Sequence, residues 1–281
     1  MLSYLHGFHA GNHADVIKHV VLVHLLEHLC RKTKGWRYVD THAGAGRYDL
    51  HDERALKKAE HADGIARLIG RDDLPPAVSR LVELIRGQQP GAGALDVYPG
   101  SPLIALALAR PQDELHLHEL HPREHEALMA HLAADANAHV HRQDGFRGAL
   151  GLLPPPTRRG LVLVDPSYER KQDYEQVVRF LQQVHRRFAT GTVAIWYPLV
   201  SRARIDALCA ALRAADVPDL LRAELCVRAD AEGFGMTGSG MIVFRPAFTL
   251  AAALEESLPF LANVLATGPG SAWTVETLVP E

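Results

Sequence analysis

The sequence predicts an α/β fold built on a doubly wound, mostly parallel sheet. Strand and helix patterns alternate along most of the chain, which is typical of parallel sheets covered by helices on both faces. The segment at 160–165 is apolar up to its last residue, as expected for a strand that is buried on both sides. Several predicted strands end in, or lead into, an acidic residue, and this pattern points to a polar crevice at one edge of the sheet.

The first part of the chain predicts helices around a single strand. Apolar residues recur at helical spacing over 14–33, and basic residues follow at the end of this helix. Residues 36–40 predict a short strand, which runs into a turn of small residues at 41–46. Two more helices are predicted at 55–70 and 77–87, and a pair of prolines separates them.

A helical insertion is predicted after the first strand. Glu119 follows Asp40 by about eighty residues, whereas about 20 residues usually separate a nucleotide-binding loop from the acidic residue of the next strand. We interpret residues 49–99 as this inserted subdomain. Residues 1–48 would then supply the N-terminal segment, the first strand and the binding loop, and residues 100–281 the remainder of the main domain.

Helices and strands alternate regularly in the rest of the chain. Ser101 and Pro102 open a helix, because serine caps helix N-termini and proline suits the first helical turn. The predicted helices lie at 101–110, 123–134, 146–153, 174–187 and 202–214. The predicted strands lie at 114–119, 138–142, 160–165, 192–196, 220–228 and 241–245. The last two strands are expected to pair near one edge of the sheet.

Composition restricts the class of protein. The chain has 281 residues, of which 47% are hydrophobic and 22% are charged, as in ordinary globular proteins. No apolar run approaches the roughly 20 residues of a membrane span, and no signal peptide is recognised at the start. Cys30, Cys209 and Cys226 are isolated and fit neither a disulfide framework nor a CxxC metal site. A cytoplasmic protein without membrane contact is therefore expected.

The net charge of −3 gives no general basic surface for nucleic acid. Any contact with phosphates must therefore use local groups of Lys and Arg. Such a group more often belongs to a solvent-exposed surface that binds no ligand. The candidate groups are Arg31, Lys32, Lys34 and Arg37; Lys57 and Lys58; Arg158 and Arg159; and Arg186 and Arg187.

Four strand-end carboxylates predict a site for a nucleoside. Asp40, Glu119, Asp144 and Asp165 follow successive strands, and ligands of open α/β sheets bind where the carboxyl ends of the strands meet. Glu119 is suited to hold two ribose hydroxyls, and Asp144 with Gly145 is placed to meet an adenine edge. Each acid alone could instead cap a helix, but four of them together favour one binding crevice.

The strongest chemical signal is the segment 164–168, Val-Asp-Pro-Ser-Tyr, at the end of the most apolar strand. An exocyclic adenine amine is a poor nucleophile because its lone pair is delocalised into the ring. Asp165 and the carbonyl of Pro166 could accept hydrogen bonds from this amine and direct its lone pair at a methyl group, while Tyr168 stacks on a base that has left its own stack. A sulfonium donor is already activated, so this chemistry needs no metal.

The same segment is similar to the Asp-Pro-Pro-Tyr motif of amino-group N6 methyltransferases. Other segments resemble the RlmJ family, the 23S ribosomal RNA adenine-N6 methyltransferases, from the first residue to the last. These segments are residues 1–4, 8–16, 18–19, 40–48, 98–102, 119–122, 196–198, 238–241 and 279–281. The resemblance implies a Rossmann-like class I methyltransferase sheet, S-adenosylmethionine as methyl donor, 23S ribosomal RNA as partner, and a monomer.

The resemblance also implies roles for individual residues. Asp165 is expected to be catalytic together with Pro166 and Tyr168, and Tyr4 is expected near the RNA. The expected cofactor contacts are Lys18, His19, His42, Ser101, Glu119, Asp144, Gly145 and Asp165. Ser167 departs from the motif, because a second proline is common there, and this places the rigidity of the loop in doubt.

Other functions stay open at this stage. The same chemistry on DNA is a close alternative, since a reader of the 2′-hydroxyl cannot be recognised in a sequence. A nicotinamide-dependent oxidoreductase is disfavoured by the missing GxGxxG pattern, and an inactive RNA-binding module is a third possibility. A metal site built from His6, His9, His13 and His19 is disfavoured, because their spacing fits no zinc pattern and no cysteine assists them.

Overall fold

A computed structural model describes residues 5–91, 93–230 and 235–281. Its strands are β1 (Arg37–Asp40), β2 (Arg47–Asp49), β3 (Val97–Pro99), β4 (Glu114–His118), β5 (Ala138–His141), β6 (Gly160–Val164), β7 (Thr192–Leu199), β8 (Leu220–Cys226), β9 (Gly238–Phe244) and β10 (Ala272–Val279). Its α-helices are α1 (His13–Cys30), α2 (Glu53–Lys58), α3 (Pro76–Gly87), α4 (Ser101–Leu108), α5 (Pro122–His131), α6 (Gly145–Gly151), α7 (Lys171–Arg187), α8 (Arg202–Arg213) and α9 (Leu250–Val264).

Eight strands form one sheet in the order β10-β8-β9-β7-β6-β1-β4-β5. The strands from β7 to β5 run parallel, whereas β9 is antiparallel to both β7 and β8, and β10 is antiparallel to β8. The strand order reverses between β1 and β6, which creates the crevice where such sheets bind ligands. The predicted doubly wound, Rossmann-like sheet is confirmed.

Helix α1 is buried on nearly all sides, which explains its apolar composition. The side chain of Asn12 caps its N-terminus by accepting hydrogen bonds from the backbone N–H groups of Ala14 and Asp15 at 2.9 and 3.0 Å. Apolar side chains of α1 join those of α3, α4 and α9 in one core, while α6, α7 and α8 pack into a second core on the opposite face of the sheet. The N-terminus of α1 consequently meets the carboxyl end of β6.

The segment between β1 and β4 differs from the prediction. No single helix spans 55–70, because α2 ends at Lys58, Ala59 takes a left-handed conformation with φ of 49°, and two short 3₁₀ turns follow (Glu60–Asp63 and Ile65–Arg67). The physical reason is a close approach of two backbones: a side chain on Gly64 would collide with the carbonyl of Gly11. Helix α3 packs against α1, α4 and α9. The division at 49 and 99 stays a prediction.

Two C-terminal elements, α9 and β10, were not predicted from the sequence. Strand β10 forms the outer edge of the sheet beside β8, and α9 packs against both strands. The predicted pairing of the two late strands is confirmed, although β10 lies outside them. Within the ranges that the structure describes, no helix is both long and apolar enough to cross a bilayer.

Candidate active site

A cavity of about 480 Å³ opens at the carboxyl ends of β1, β4 and β6, beside the point where the strand order reverses. Such a volume is within the usual range for small-molecule sites. All eight residues that the sequence predicts as cofactor contacts line it, and so does Pro166. They are Lys18, His19, His42, Ser101, Glu119, Asp144, Gly145 and Asp165.

The loop after β1 forms one wall, and its shape depends on glycine. Gly44 has a φ of 62°, and a Cβ there would meet the hydroxyl of Tyr48. Its backbone N–H donates a hydrogen bond to Oε2 of Glu119 at 2.9 Å, and the N–H of His121 donates to Oε1 at 2.6 Å. Burial raises the pKa of Glu119 above its ordinary value, and these two hydrogen bonds lower it by less. The carboxylate is thereby fixed in orientation toward the cavity.

Helix α6 brings its N-terminus against the loop after β1, where it also lines the cavity. Asp144 caps this helix, and its Oδ1 accepts a hydrogen bond from the backbone N–H of Arg147 at 2.9 Å. Gly145 lies directly against the carbonyl of Thr41, where any side chain would collide with the β1 loop. Asp144 therefore has a structural role as a helix cap, and its position on the cavity makes a ligand contact compatible with that role.

Two neutral histidines, His19 and His42, line the cavity. His19 is 1% exposed, and its Nδ1 is 2.7 Å from the hydroxyl of Tyr98. Burial lowers the pKa of His19 to about 3 and also lowers the pKa of His42. No residue in the described ranges hydrogen bonds to the buried Nε2 of His19. A buried polar atom without a partner is costly, so this nitrogen is suited to a ligand.

Asp40 corrects the expectation that all four strand-end carboxylates face one crevice. It is 0% exposed and does not line the cavity. Its Oδ2 accepts hydrogen bonds from the hydroxyls of Tyr38 and Ser101, both at 2.7 Å. Burial raises its pKa above the ordinary value. Asp40 thus acts from behind the wall and orients Ser101, whereas Glu119, Asp144 and Asp165 line the cavity.

A charged network at the junction of α1 and β6 surrounds Asp165. Nζ of Lys18 lies 2.6 Å from Oδ2 of Asp165 and 2.8 Å from Oδ1 of Asp15. The other oxygen of Asp15 accepts from the backbone N–H of Gly11 at 2.8 Å and is 2.9 Å from Nε2 of His6. Burial lowers the pKa of Lys18, but the two carboxylates raise it by more, so the ammonium stays charged.

Sequence reasoning missed the part that Asp15 plays in this network. Its side chain is 1% exposed, and burial alone would raise its pKa, yet His6 and Lys18 lower that pKa well below the ordinary value. The sequence predicts Asp15 only as an acidic residue in the first turn of a helix, which is a common and favourable position. Lys18 is its neighbour three residues along α1, whereas the contact with His6 depends on the turn at residues 6–11, which no local pattern indicates.

A second cavity of about 620 Å³ lies on the other side of this network. Tyr168 lines this second cavity and not the first. Its φ of 52° is left-handed, and its hydroxyl donates a hydrogen bond to the backbone carbonyl of Trp196 at 2.6 Å. Tyr4 lies outside the described residues. Five residues line both cavities and form the wall between them: His6, Lys18, Asp165, Ser167 and Trp196.

The N-terminal histidines do not gather around one point. His6 pairs with Asp15, and Nδ1 of His9 lies 2.9 Å from Glu60. Burial lowers the pKa of His13 to about 4. In the part of the chain that the structure describes, no three His, Cys, Asp or Glu side chains are arranged to hold a metal ion. These histidines are therefore engaged in separate contacts.

Most of the basic groups noted in the sequence lie away from both cavities. Arg37 begins β1 and pairs with Glu114, whereas Arg159 precedes β6 and donates to the carbonyl of Lys34. Arg187 ends α7 at the same edge of the sheet. These positions mark the amino ends of the parallel strands, opposite the cavities. Of the four groups, only the one that contains Lys58 reaches a cavity.

Comparisons with known proteins identify the family. Residues 33–279 match the model of the family described as ribosomal RNA large subunit methyltransferase D, RlmJ. The chain is 46% identical over 281 residues to the ribosomal RNA large subunit methyltransferase J of Haemophilus influenzae, and 45% identical over 282 residues to the protein of that name from Escherichia coli. Each alignment covers 100% of both chains.

A solved structure shares the fold over nearly the whole chain. Protein LPL1258 from Legionella pneumophila matches with a TM-score of 0.88 and 35% sequence identity, over 96% of this chain and 98% of that one. Together with the full-length relatives, this likeness removes the oxidoreductase alternative. The chain belongs to the RlmJ family of ribosomal RNA large subunit methyltransferases.

Proposed function

We propose that the protein transfers a methyl group from S-adenosylmethionine to the N6 amino group of one adenine in 23S ribosomal RNA. The observation that carries this proposal is the position of Asp165. This residue lines both cavities, so a donor in the first cavity and a base entering from the second would meet at its carboxylate. The names of the full-length relatives support ribosomal RNA as the substrate.

The residues of the first cavity fit S-adenosylmethionine. Glu119 is suited to two ribose hydroxyls, the unpartnered Nε2 of His19 can take a further polar group, and the loop at Gly44 leaves room for close approach. The three strand-end carboxylates on the wall, Glu119, Asp144 and Asp165, make the cavity favourable for the positive charge of a sulfonium. When bound, this cofactor supplies an electrophilic methyl group.

Asp165 and Pro166 then act on the amine of the base. Lys18 donates a hydrogen bond to Oδ2 of Asp165, and among the described residues none donates a hydrogen bond to Oδ1. We assign Oδ1 and the carbonyl of Pro166 as the two acceptors that hold the N6 amine. These hydrogen bonds localise the nitrogen lone pair and aim it at the methyl group, so the chain contributes positioning and charge complementarity. As the N–C bond formed, the S–C bond of the donor would break, and the surplus proton of the methylated amine would pass to water. The charged Lys18 cannot accept a proton and serves to orient the carboxylate.

Tyr168 belongs to the substrate side of this arrangement. Its ring lines the second cavity, from which the base would enter, and its hydroxyl is anchored at Trp196. Burial raises the pKa of Tyr168 well above its ordinary value, so the phenol stays neutral. We propose that the ring stacks on the extruded adenine. We also propose that the protein acts as a monomer in the cytoplasm.

The direct test compares methyl acceptors. Purified protein with labelled S-adenosylmethionine is offered unmodified 23S RNA transcribed in vitro, assembled large subunits and duplex DNA, and the methylated nucleosides are identified by mass spectrometry. We expect N6-methyladenosine at one position of the 23S RNA. A clear preference for DNA, or methylation of another base, would contradict the proposal.

A second test addresses Asp165. The substitution Asp165→Ala should abolish methyl transfer, because the amine loses one of its two acceptors. Binding of S-adenosylmethionine, measured by calorimetry, should weaken by at most about a hundredfold, since the other walls of the first cavity are kept. Residual activity close to that of the unmodified protein would remove Asp165 from the mechanism.

A further inference from the structure

The second cavity is larger than the entry of a single base requires, and its walls combine aromatic and cationic side chains. We propose that it binds the single-stranded RNA segment next to the target adenine, with Arg204 on a phosphate and Tyr174 against a neighbouring base. This inference rests on the function proposed above. It names the two residues that hold the RNA outside the reacting base.

The aromatic part of the wall is continuous with the reaction point. The rings of Tyr168 and Tyr174 have centroids 4.5 Å apart, and the ring of Trp196 lies 6.0 Å from Tyr168. Tyr174 is half-buried in the first turns of α7, and it lines the second cavity but not the first. Aromatic rings that follow one another along a groove are typical of sites for single-stranded nucleic acid, because each ring can stack on a base.

Arg204 supplies the charge that a phosphate requires. It is exposed, lines the second cavity, and has no carboxylate partner among the ion pairs of the described residues. Its neighbour Arg202 contrasts with it, because Arg202 pairs with Glu224 at 2.6 Å and with Asp230 at 2.8 Å. A positive charge in the first turn of a helix is unfavourable with respect to the helix dipole. The dipole of α8 therefore does not favour a cation at this position.

Arg204 and Tyr174 are neighbours, which links the two contacts. Burial raises the pKa of Tyr174, and the adjacent guanidinium of Arg204 lowers it by less. A phosphate on Arg204 would consequently lie one nucleotide or less from a base stacked on Tyr174. The acidic residues that line this cavity already have partners: Asp15 and Asp165 contact Lys18, Glu60 contacts His9, and Asp63 contacts Arg67. The guanidinium of Arg204 is therefore available to bind an anion.

The test separates RNA binding from cofactor binding. The probe is unmodified 23S RNA transcribed in vitro, and its affinity is measured at several salt concentrations for Arg204→Ala, Tyr174→Leu and Tyr174→Phe. The matched control is Arg213→Ala, because Arg213 is exposed on the same helix about 14 Å further along its axis. Affinity for S-adenosylmethionine is measured in parallel and should stay unchanged in all four variants.

We expect Arg204→Ala to weaken RNA binding about tenfold at low salt and to reduce the salt slope by about one, as the loss of one phosphate contact requires. Tyr174→Leu should weaken RNA binding by about tenfold with an unchanged salt slope. Tyr174→Phe keeps the ring and loses only the hydroxyl beside Arg204, so it should lose much less affinity than Tyr174→Leu. Arg213→Ala should change neither quantity.

Two results would overturn the inference. One is an Arg204→Ala variant whose RNA affinity, and the salt dependence of that affinity, equal those of Arg213→Ala. The other is a loss of affinity in Tyr174→Phe equal to that in Tyr174→Leu, since stacking would then not be the contact. If the unmodified protein failed to methylate 23S RNA while Arg204→Ala still reduced the salt slope, the proposed reaction would be wrong and the RNA site would stand.

Discussion

Asp15 shows how one buried carboxylate organises the reaction point. It lies against both Lys18 and His6, which form part of the wall between the two cavities. The substitution Asp15→Asn keeps the shape and an acceptor for Gly11 but removes the negative charge that the ammonium of Lys18 faces. We expect a loss of about 3–5 kcal/mol in the free energy of unfolding, as in other broken buried ion pairs. We also expect kcat to fall while the KM for S-adenosylmethionine changes little.

The matched control is Glu83→Gln. Glu83 is 58% exposed and pairs with Arg80 on the surface of α3, so this substitution should change the free energy of unfolding by less than about 1 kcal/mol. Chemical denaturation and steady-state kinetics of both variants provide the comparison. If Asp15→Asn were as stable and as active as Glu83→Gln, the network would have no part in holding Asp165.

Functional residues could be predicted where the adjoining sequence indicates their role. Asp165 and Pro166 stand at the end of a wholly apolar strand, and Glu119 ends another strand, so the topology of a parallel sheet brings them together. Asp40 is also a strand end, yet its neighbours Tyr38 and Ser101 enclose it, and the strand pattern cannot tell these two outcomes apart. Asp15 acts partly through its contact with His6, which forms only when the segment before α1 has folded back, and this part could not be predicted.

At the scale of elements, the approach of α6 to β1 sets the shape of the first cavity. Gly145 begins α6 against the carbonyl of Thr41, so Gly145→Ala must push the helix away from the β1 loop. We expect this substitution to cost about 1–3 kcal/mol in the free energy of unfolding, as overpacking does elsewhere. It should also weaken the binding of S-adenosylmethionine measured by calorimetry, because Asp144 and Phe146 move with the helix.

Gly151→Ala is the control on the same helix. Gly151 is the last residue of α6, and no heavy atom would lie within 4 Å of an added Cβ. Alanine favours helices more than glycine does, so this variant should be equally stable or up to about 1 kcal/mol more stable. Equal loss of cofactor affinity in both variants would show that α6 responds to any added methyl group and not to its contact with β1.

The elements that the sequence did not predict share a physical cause. Helix α9 contains Pro259, which interrupts the usual helical pattern, and the helix survives because its apolar side chains pack against α3, β8 and β10. Strand β10 is an edge strand, and most of its side chains are exposed or half-buried, so it lacks a clear apolar alternation. Tertiary packing determines both elements, whereas the central parallel strands are determined by their own apolar sequence.

At the scale of the whole molecule, buried histidines should make the fold sensitive to acid. Burial lowers the pKa of His19 to about 3 and the pKa values of His13, His116 and His118 to about 4, against an ordinary value of 6.5. These rings stay neutral in the folded protein at pH 5, while the unfolded chain takes up protons below about pH 6.5. Stability is therefore fully present above pH 6.5 and declines as the pH falls toward 4.

Each such histidine should lower the free energy of unfolding by up to about 2 kcal/mol between pH 7 and pH 5. His118 offers the sharpest test, because it lies on β4 with its ring 4.8 Å from that of His141 and against the backbone of Gly148. In His118→Gln, the decline measured by urea denaturation across this pH range should be smaller by about 1–2 kcal/mol. The control His51→Gln removes a histidine whose side chain is 67% exposed, so it shows whether the loss of any imidazole changes this decline. Equal pH dependence in His118→Gln and the unmodified protein would mean that this ring is protonated in the folded state.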